Sequence, residues 1–199
     1  MQQTTSKQLY AYWDRVRNER PAPRRFEIEP ARIAPLLPET FIAACDGPFS
    51  YRFRLAGTRI CEQFGRELRG ADLLGLFEAT DRHVFSSLLR HVVSDAAVGH
   101  LLFNADSDAN RRASFELLVM PLIHTGTAIN RLLGPISAIE PPFWLGSAPL
   151  IRLELADMHL IWPDGDPSPA KAPSARTASA AELVTLARKR FRVFEGGAG

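Results

Sequence analysis

Apolar and polar residues alternate from Tyr51 to Leu55, with Tyr51, Phe53 and Leu55 interleaved by Arg52 and Arg54. That period of two predicts a half-buried strand. Gly57 breaks the alternation, and the spacing then changes to that of a short helix carrying Ile60, Cys61 and Phe64, with Thr58 as its N-cap and Gly65 as the left-handed residue that ends it. Upstream, Thr40 to Ala44 is a β-prone run leading to the Asp46-Gly47 turn signal, which predicts a hairpin with Tyr51 to Ala56. Downstream, Asp72 to Phe77 predicts a second short helix. Thr80 is placed to cap a third, longer one whose buried face is Val84, Phe85, Leu88, Leu89, Val92, Val93 and Ala96, stopped by Gly99. Three β-like runs follow, His100 to Ala105, Ala113 to Ile123 and Asn130 to Ile139, separated by the polar turns SDANRR and HTGT. Ile151, Leu153 and Leu155 alternate with Arg152 and Glu154, which predicts an extra edge strand or an extension outside the core.

Both ends of the chain have a different texture. Leu9, Tyr12, Trp13 and Val16 recur at helical spacing within Gln8 to Arg17, an amphipathic helix with one large apolar stripe that something must cover, and within one domain that cover would be the sheet. Pro21 and Pro23 end it in an extended linker, and Pro30 opens a helix of about two turns carrying Ile33, Leu36 and Leu37, closed by Pro38 and shortened by Pro35. From Pro163 to Ala180 the sequence PDGDPSPAKAPSARTASA has too few large apolar groups to offset the entropy of ordering it, and it reads as a disordered linker. Ala181 to Phe194 then places Leu183, Leu186, Ala187, Phe191 and Phe194 at three- and four-residue steps, a short amphipathic helix with a basic opposite face. No internal repeat is present.

Composition narrows the class. A chain of 199 residues with 46% apolar content predicts one domain with a real core plus tails. The 24 basic and 22 acidic residues leave a net charge of +2, too weak a field to predict nucleic-acid binding. Cys45 and Cys61 alone make neither a disulfide framework nor a zinc site, which fits a reducing cytosol. The first residues lack an apolar signal core, and no run approaches the ~18–20 apolar residues of a membrane span. The expectation is a soluble, cytoplasmic protein.

The strand-to-helix unit, with its Phe-Gly-Arg-Glu-Leu-Arg-Gly ending at Gly70, resembles the opening half of a PAS domain, in a bacterial branch of short, nearly stand-alone chains. LYAYWDR at Leu9 to Arg15, PAPR at Pro21 to Arg24, IAPLLP at Ile33 to Pro38 and PFWLG at Pro142 to Gly146 come in the order of that branch, so the resemblance spans about Leu9 to Leu155. It implies an α+β fold: a five-stranded antiparallel sheet with its intervening helices on one face, preceded by a flanking helix that pairs two copies. The chain then divides into flanking helices over 1–38, a PAS-like core over 39–140, an extension over 141–162, the linker over 163–180 and the basic helix and tail over 181–199. The resemblance implies a sensory or regulatory module rather than a catalyst, acting as a homodimer through Leu9, Tyr12, Trp13 and Val16, with an unidentified signalling protein as partner.

A PAS sheet and its helices enclose an interior that is either solid or admits a small molecule. The candidate lining is Phe53, Leu55, Cys61, Phe64, Phe77, Phe85, Phe103, Phe115 and Leu117, all of which also serve an ordinary core. His83 and His91 lie at the border of the long helix's apolar stripe, where a half-exposed histidine is the commoner outcome than a haem ligand. Cys61 lacks the asparagine- and glutamine-rich neighbours of the flavin-binding subclass and reads as a structural thiol. Arg52, Arg54, Arg59, Arg66 and Arg69 are dense enough to hold an anion, but Glu62, Glu67 and Asp72 are near enough to neutralise them. Arg188, Lys189, Arg190 and Arg192 offer a weak basic cluster. No nucleophile elbow or metal-ligand spacing is present, so no catalytic or metal site is expected and the cofactor is left unknown. The alternatives are a ligand-free interaction scaffold with a filled core and, with less support, an enzyme using Cys61 or His83.

Overall fold

The computed structural model of the chain describes residues 1–47 and 49–165; the basic helix expected over 181–194 and the linker beyond residue 165 lie outside the described residues. Six strands form one antiparallel sheet: β1 Thr40–Gly47, β2 Ser50–Ala56, β3 Val98–Ser107, β4 Arg112–Leu122, β5 Arg131–Ile139 and β6 Leu150–Ile161, in the order β2-β1-β5-β4-β3-β6. Three α-helices, α1 Thr4–Arg17, α2 Thr58–Phe64 and α3 Ala79–Ser94, are joined by 3-10 segments at Arg25–Glu27, Pro30–Glu39 and Leu74–Leu76.

The sixth strand is the extra edge strand expected from the alternation at Ile151 to Leu155. The extension expected after residue 150 is a full edge strand that pairs with β3 from Ser107↔Leu150 to Val98↔Ile161. Its alternation is interrupted by bulges, one between Asp106 and Ser107 and one between Leu102 and Phe103, where Ala156 has no opposite residue. The first turns Ile151 outward, and the second hides the strand's second half from a period-two reading.

α2, α3 and the Leu74–Leu76 turn cover one face, as expected, over a core that includes Phe41, Phe53, Leu101, Phe103, Phe115 and Leu117. The other face is not left open. Leu9, Tyr12 and Trp13 of α1, with Ile28 and Ile33, bury Ile42, Leu118, Met120, Leu122 and Leu133 there. This is why β4 is apolar at consecutive positions: Leu117 and Val119 face one layer, Leu118 and Met120 the other.

Local ends differ from the expected caps. Gly57, not Thr58, is the N-cap of α2, because a Cβ there would sit 2.2 Å from the Pro38 carbonyl oxygen. Gly65 ends the helix in the left-handed region (φ 61°), as expected. α3 starts from Glu78, which places Thr80 inside its first turn, and it ends at Ser94, so that Gly99 lies within β3 instead of stopping the helix.

Candidate functional site

Seven of the nine residues expected to line an interior pocket are buried in one cluster: Phe53, Phe64, Phe77, Phe85, Phe103, Phe115 and Leu117. Four of the rings pack on one another. Phe103 stacks on Phe115 at 5.1 Å between centroids, while Phe77 meets Phe85 edge-on at 4.9 Å and Phe103 at 5.3 Å. Leu55 departs from the expectation and is 41% exposed. A bulge pairs Ile42 with Leu55 and Ala43 with Phe53, so Arg54 is left without an opposite residue and the inward alternation fails one position past Phe53. Cys61 is half-buried with its thiol 3.5 Å from Glu67, and burial pushes it up from the ordinary thiol value, away from a reactive thiolate.

Open space lies beside this core, along the flank of α3. A hollow of about 460 Å³ lies between the last turns of that helix, Arg90, His91, Val93 and Ser94, and the strand ends Cys45, Gly47 and Tyr51, with Ile129 completing the rim. A second, of about 330 Å³, is bounded by Arg82, His83 and Ser86 on α3 and by Phe49, Asp72, Leu74 and Gly75 opposite. His83 and His91 thus belong to these outer hollows and not to the phenylalanine interior. The Asp72 carboxylate is already engaged, accepting from the backbone N–H of Tyr51 at 3.0 Å and of Leu74 at 2.8 Å. Ser86 Oγ is buried with no hydrogen-bond partner. His91 bonds Asp95 at 2.7 Å, whereas among the described residues the Arg90 guanidinium bonds only Ser87 Oγ, at 3.2 Å. Burial raises the Cys45 thiol to about 11 and the Tyr51 phenol to about 12, so both are neutral near pH 7. One sequence signal pointed here: Arg82, Ser86, Arg90 and Ser94 recur every four residues, a polar stripe on a helix read only for its apolar one.

On the opposite face the chain's beginning is clasped to the sheet. Glu116, fully buried in β4, accepts from the backbone N–H of Gln2 at 2.7 Å and of Gln3 at 2.6 Å, and its Oε1 lies 2.5 Å from His100 Nε2. Burial opposes its ionisation, but these three bonds outweigh that effect and hold the carboxyl at about 2. His159 of β6 lies against His100, with ring centroids 4.5 Å apart; burial and the neighbouring His100 lower its pKa. Farther along α1, Trp13 Nε1 donates to the Pro121 carbonyl at 2.9 Å, and the Tyr12 hydroxyl accepts from the backbone N–H of Glu29 at 2.8 Å. The stripe expected to pair two copies is thus covered by the chain's own sheet: Leu9, Tyr12 and Trp13 are buried and Val16 is half-buried. Glu116 escaped the sequence reading, although a lone carboxylate inside the apolar run ASFELLVMPL is itself a sign of a buried partner.

The arginines near α2 form no joint anion site. Arg54 pairs with Asp46 and Arg59 with Glu39, partners outside the expected set of Glu62, Glu67 and Asp72, while Arg52, Arg66 and Arg69 are exposed. Among the described residues no group of three or more His, Cys, Asp or Glu is placed to hold a metal ion, and no helix is long and apolar enough to cross a membrane.

A model of the PAS domain family matches residues 1–137. Among solved structures, a PAS domain of an HTR-like protein from Haloarcula marismortui is similar at 16% identity and a TM-score of 0.37, over 55% of this chain and 90% of that one. No curated protein matches the chain.

Proposed function

Since the chain belongs to the PAS domain family, whose members are in general sensory or signalling modules, we propose that it is a regulatory module of the cytoplasm that turns occupancy of a small-molecule site into a change of association with a second copy or another signalling protein. The observation that carries this reading is the 460 Å³ hollow beside α3, within the size range of metabolite sites, next to an interior where Phe77, Phe85, Phe103 and Phe115 pack ring against ring. The input site therefore moves from the phenylalanines to the flank of α3. Leu9, Tyr12, Trp13 and Val16 serve in this reading as a relay on the far side of the sheet, since their side chains are occupied and a partner would meet the outward side of α1. Two free cysteines are compatible with the cytoplasm.

The test is mass spectrometry of small molecules extracted from freshly purified protein, with sedimentation of the same sample before and after stripping. A bound compound whose removal shifts the sedimentation coefficient is expected. A chain that carries nothing and sediments identically throughout would refute the sensor reading and favour a second one, a ligand-free interaction scaffold. The mutual packing of Phe77, Phe85, Phe103 and Phe115 is the observation on its side.

A further inference from the structure

The hollow beside α3 has a chemical preference as well as a size. Its described lining contains no carboxylate and includes the apolar Val93 and Ile129 with Tyr51 and Cys45. His91 is matched by Asp95. Among the described residues no carboxylate lies within ion-pair distance of Arg90, whose guanidinium bonds Ser87 Oγ. Since Cys45 and Tyr51 are neutral near pH 7, the cation among the described lining is the exposed Arg90 guanidinium at the rim, beside Val93, Ile129 and Tyr51. Of the nearby acids, Asp46 is held by Arg54, Asp72 by the backbone N–H groups of Tyr51 and Leu74, and Asp95 by His91.

The charge of a fitting ligand is bounded from both sides. An exposed guanidinium at the rim of an apolar hollow, as Arg90 is, binds a carboxylate through paired, charge-assisted hydrogen bonds. The hollow also adjoins the C-terminal turn of α3, whose free carbonyls carry partial negative charge and disfavour a second negative charge on the ligand. We infer that the hollow takes a small organic monocarboxylate, its head on Arg90 and its apolar body between Val93, Ile129 and Tyr51. This assignment rests on the sensor reading above and adds the ligand class to it.

Titration calorimetry of the full chain tests it with octanoate and phenylacetate, with 1-octanol as the neutral match and octyl phosphate as the more highly charged one. The acids are expected to bind, octanoate about threefold or more tighter than octanol, the margin an exposed charge pair supplies. Arg90→Gln should erase that margin, and Val93→Phe, which fills the hollow, should weaken acid and alcohol together. Equal affinity for octanoate and octanol, a margin that survives Arg90→Gln, tighter binding of octyl phosphate, or no binding of either acid at millimolar concentration would each overturn the assignment. The two readings fail separately. If octanol and octanoate bind alike and Val93→Phe blocks both, the monocarboxylate is wrong and the hollow remains the input site. If a co-purified compound stays bound to Val93→Phe, the hollow itself is wrong.

Discussion

Glu116 shows how one charged residue in an apolar strand is tolerated: a fully buried carboxylate persists only where donors replace its water, and here two backbone N–H groups and an imidazole do so. Its depressed pKa is a statement about stability. The folded chain holds the carboxyl at about 2 against an ordinary 4.5, so its contribution is fully present above 4.5 and is lost as the pH falls through 2. His159, lowered from 6.5, acts in the same direction: the unfolded chain binds its proton first, so stability is lost as the pH drops below 6.5. Urea unfolding followed from pH 7.5 down to pH 2.5 should show stability falling in both intervals. Glu116→Gln should cost about 2 kcal/mol at pH 7 and flatten the acid limb, and His159→Gln should flatten the one nearer neutrality. A variant pH profile parallel to that of the parent would contradict the assignment. Trp13→Phe isolates the other anchor: it keeps most of the buried ring but leaves the Pro121 carbonyl without its indole donor, with an expected loss of about 1–3 kcal/mol in the same assay.

At the scale of elements, what was legible was what is local. The turn from β2 into α2 was readable because Gly57 and Gly65 punctuate it, and β1 to β5 because each carries its own alternation or apolar run. Leu55 was misplaced and the second half of β6 missed because a bulge is decided by the partner strand, and the partner is distant in sequence. The phenylalanines were legible as core, but the hollow beside α3 was not, since it is space left by a helix's polar flank and no residue pattern encodes space directly. Which face α1 covers was likewise undetermined, because an amphipathic stripe states that it needs cover and not by what. β5 carries a further requirement invisible in its own sequence. Pro135 offers no N–H, and beside it the Leu118 carbonyl comes so near Gly134 that a Cβ would sit 1.7 Å from its oxygen. Gly134→Ala should therefore destabilise the chain by about 3 kcal/mol, read as a lowered urea midpoint with unchanged slope. A neutral result would mean that the two strands are farther apart than described.

At the scale of the molecule, one sheet carries a layer on each side, and the two layers differ in how they are held. The layer of α2 and α3 packs against β1 to β6 through continuous apolar contact and bounds the two hollows. The layer of α1 combines an apolar stripe with a few long-range polar anchors: Glu116 on Gln2 and Gln3, Pro121 on Trp13, and Asp164 on Arg17 at 2.8 Å. A ligand beside α3 and a partner on the outward side of α1 would thus act on opposite faces of the same strands. These anchors lie over a hundred residues from the helix they hold: 108 between Trp13 and Pro121, and 114 between Gln2 and Glu116. On a ribosome, α1 is therefore made long before its seat exists, and it must wait with its greasy side bare until β4 and β5 have emerged. A stopped-flow refolding experiment should find the burial of Trp13 arriving in the last kinetic phase, after the sheet has formed. During that interval the waiting helix is the segment that a chaperone or a neighbouring nascent chain would seize first.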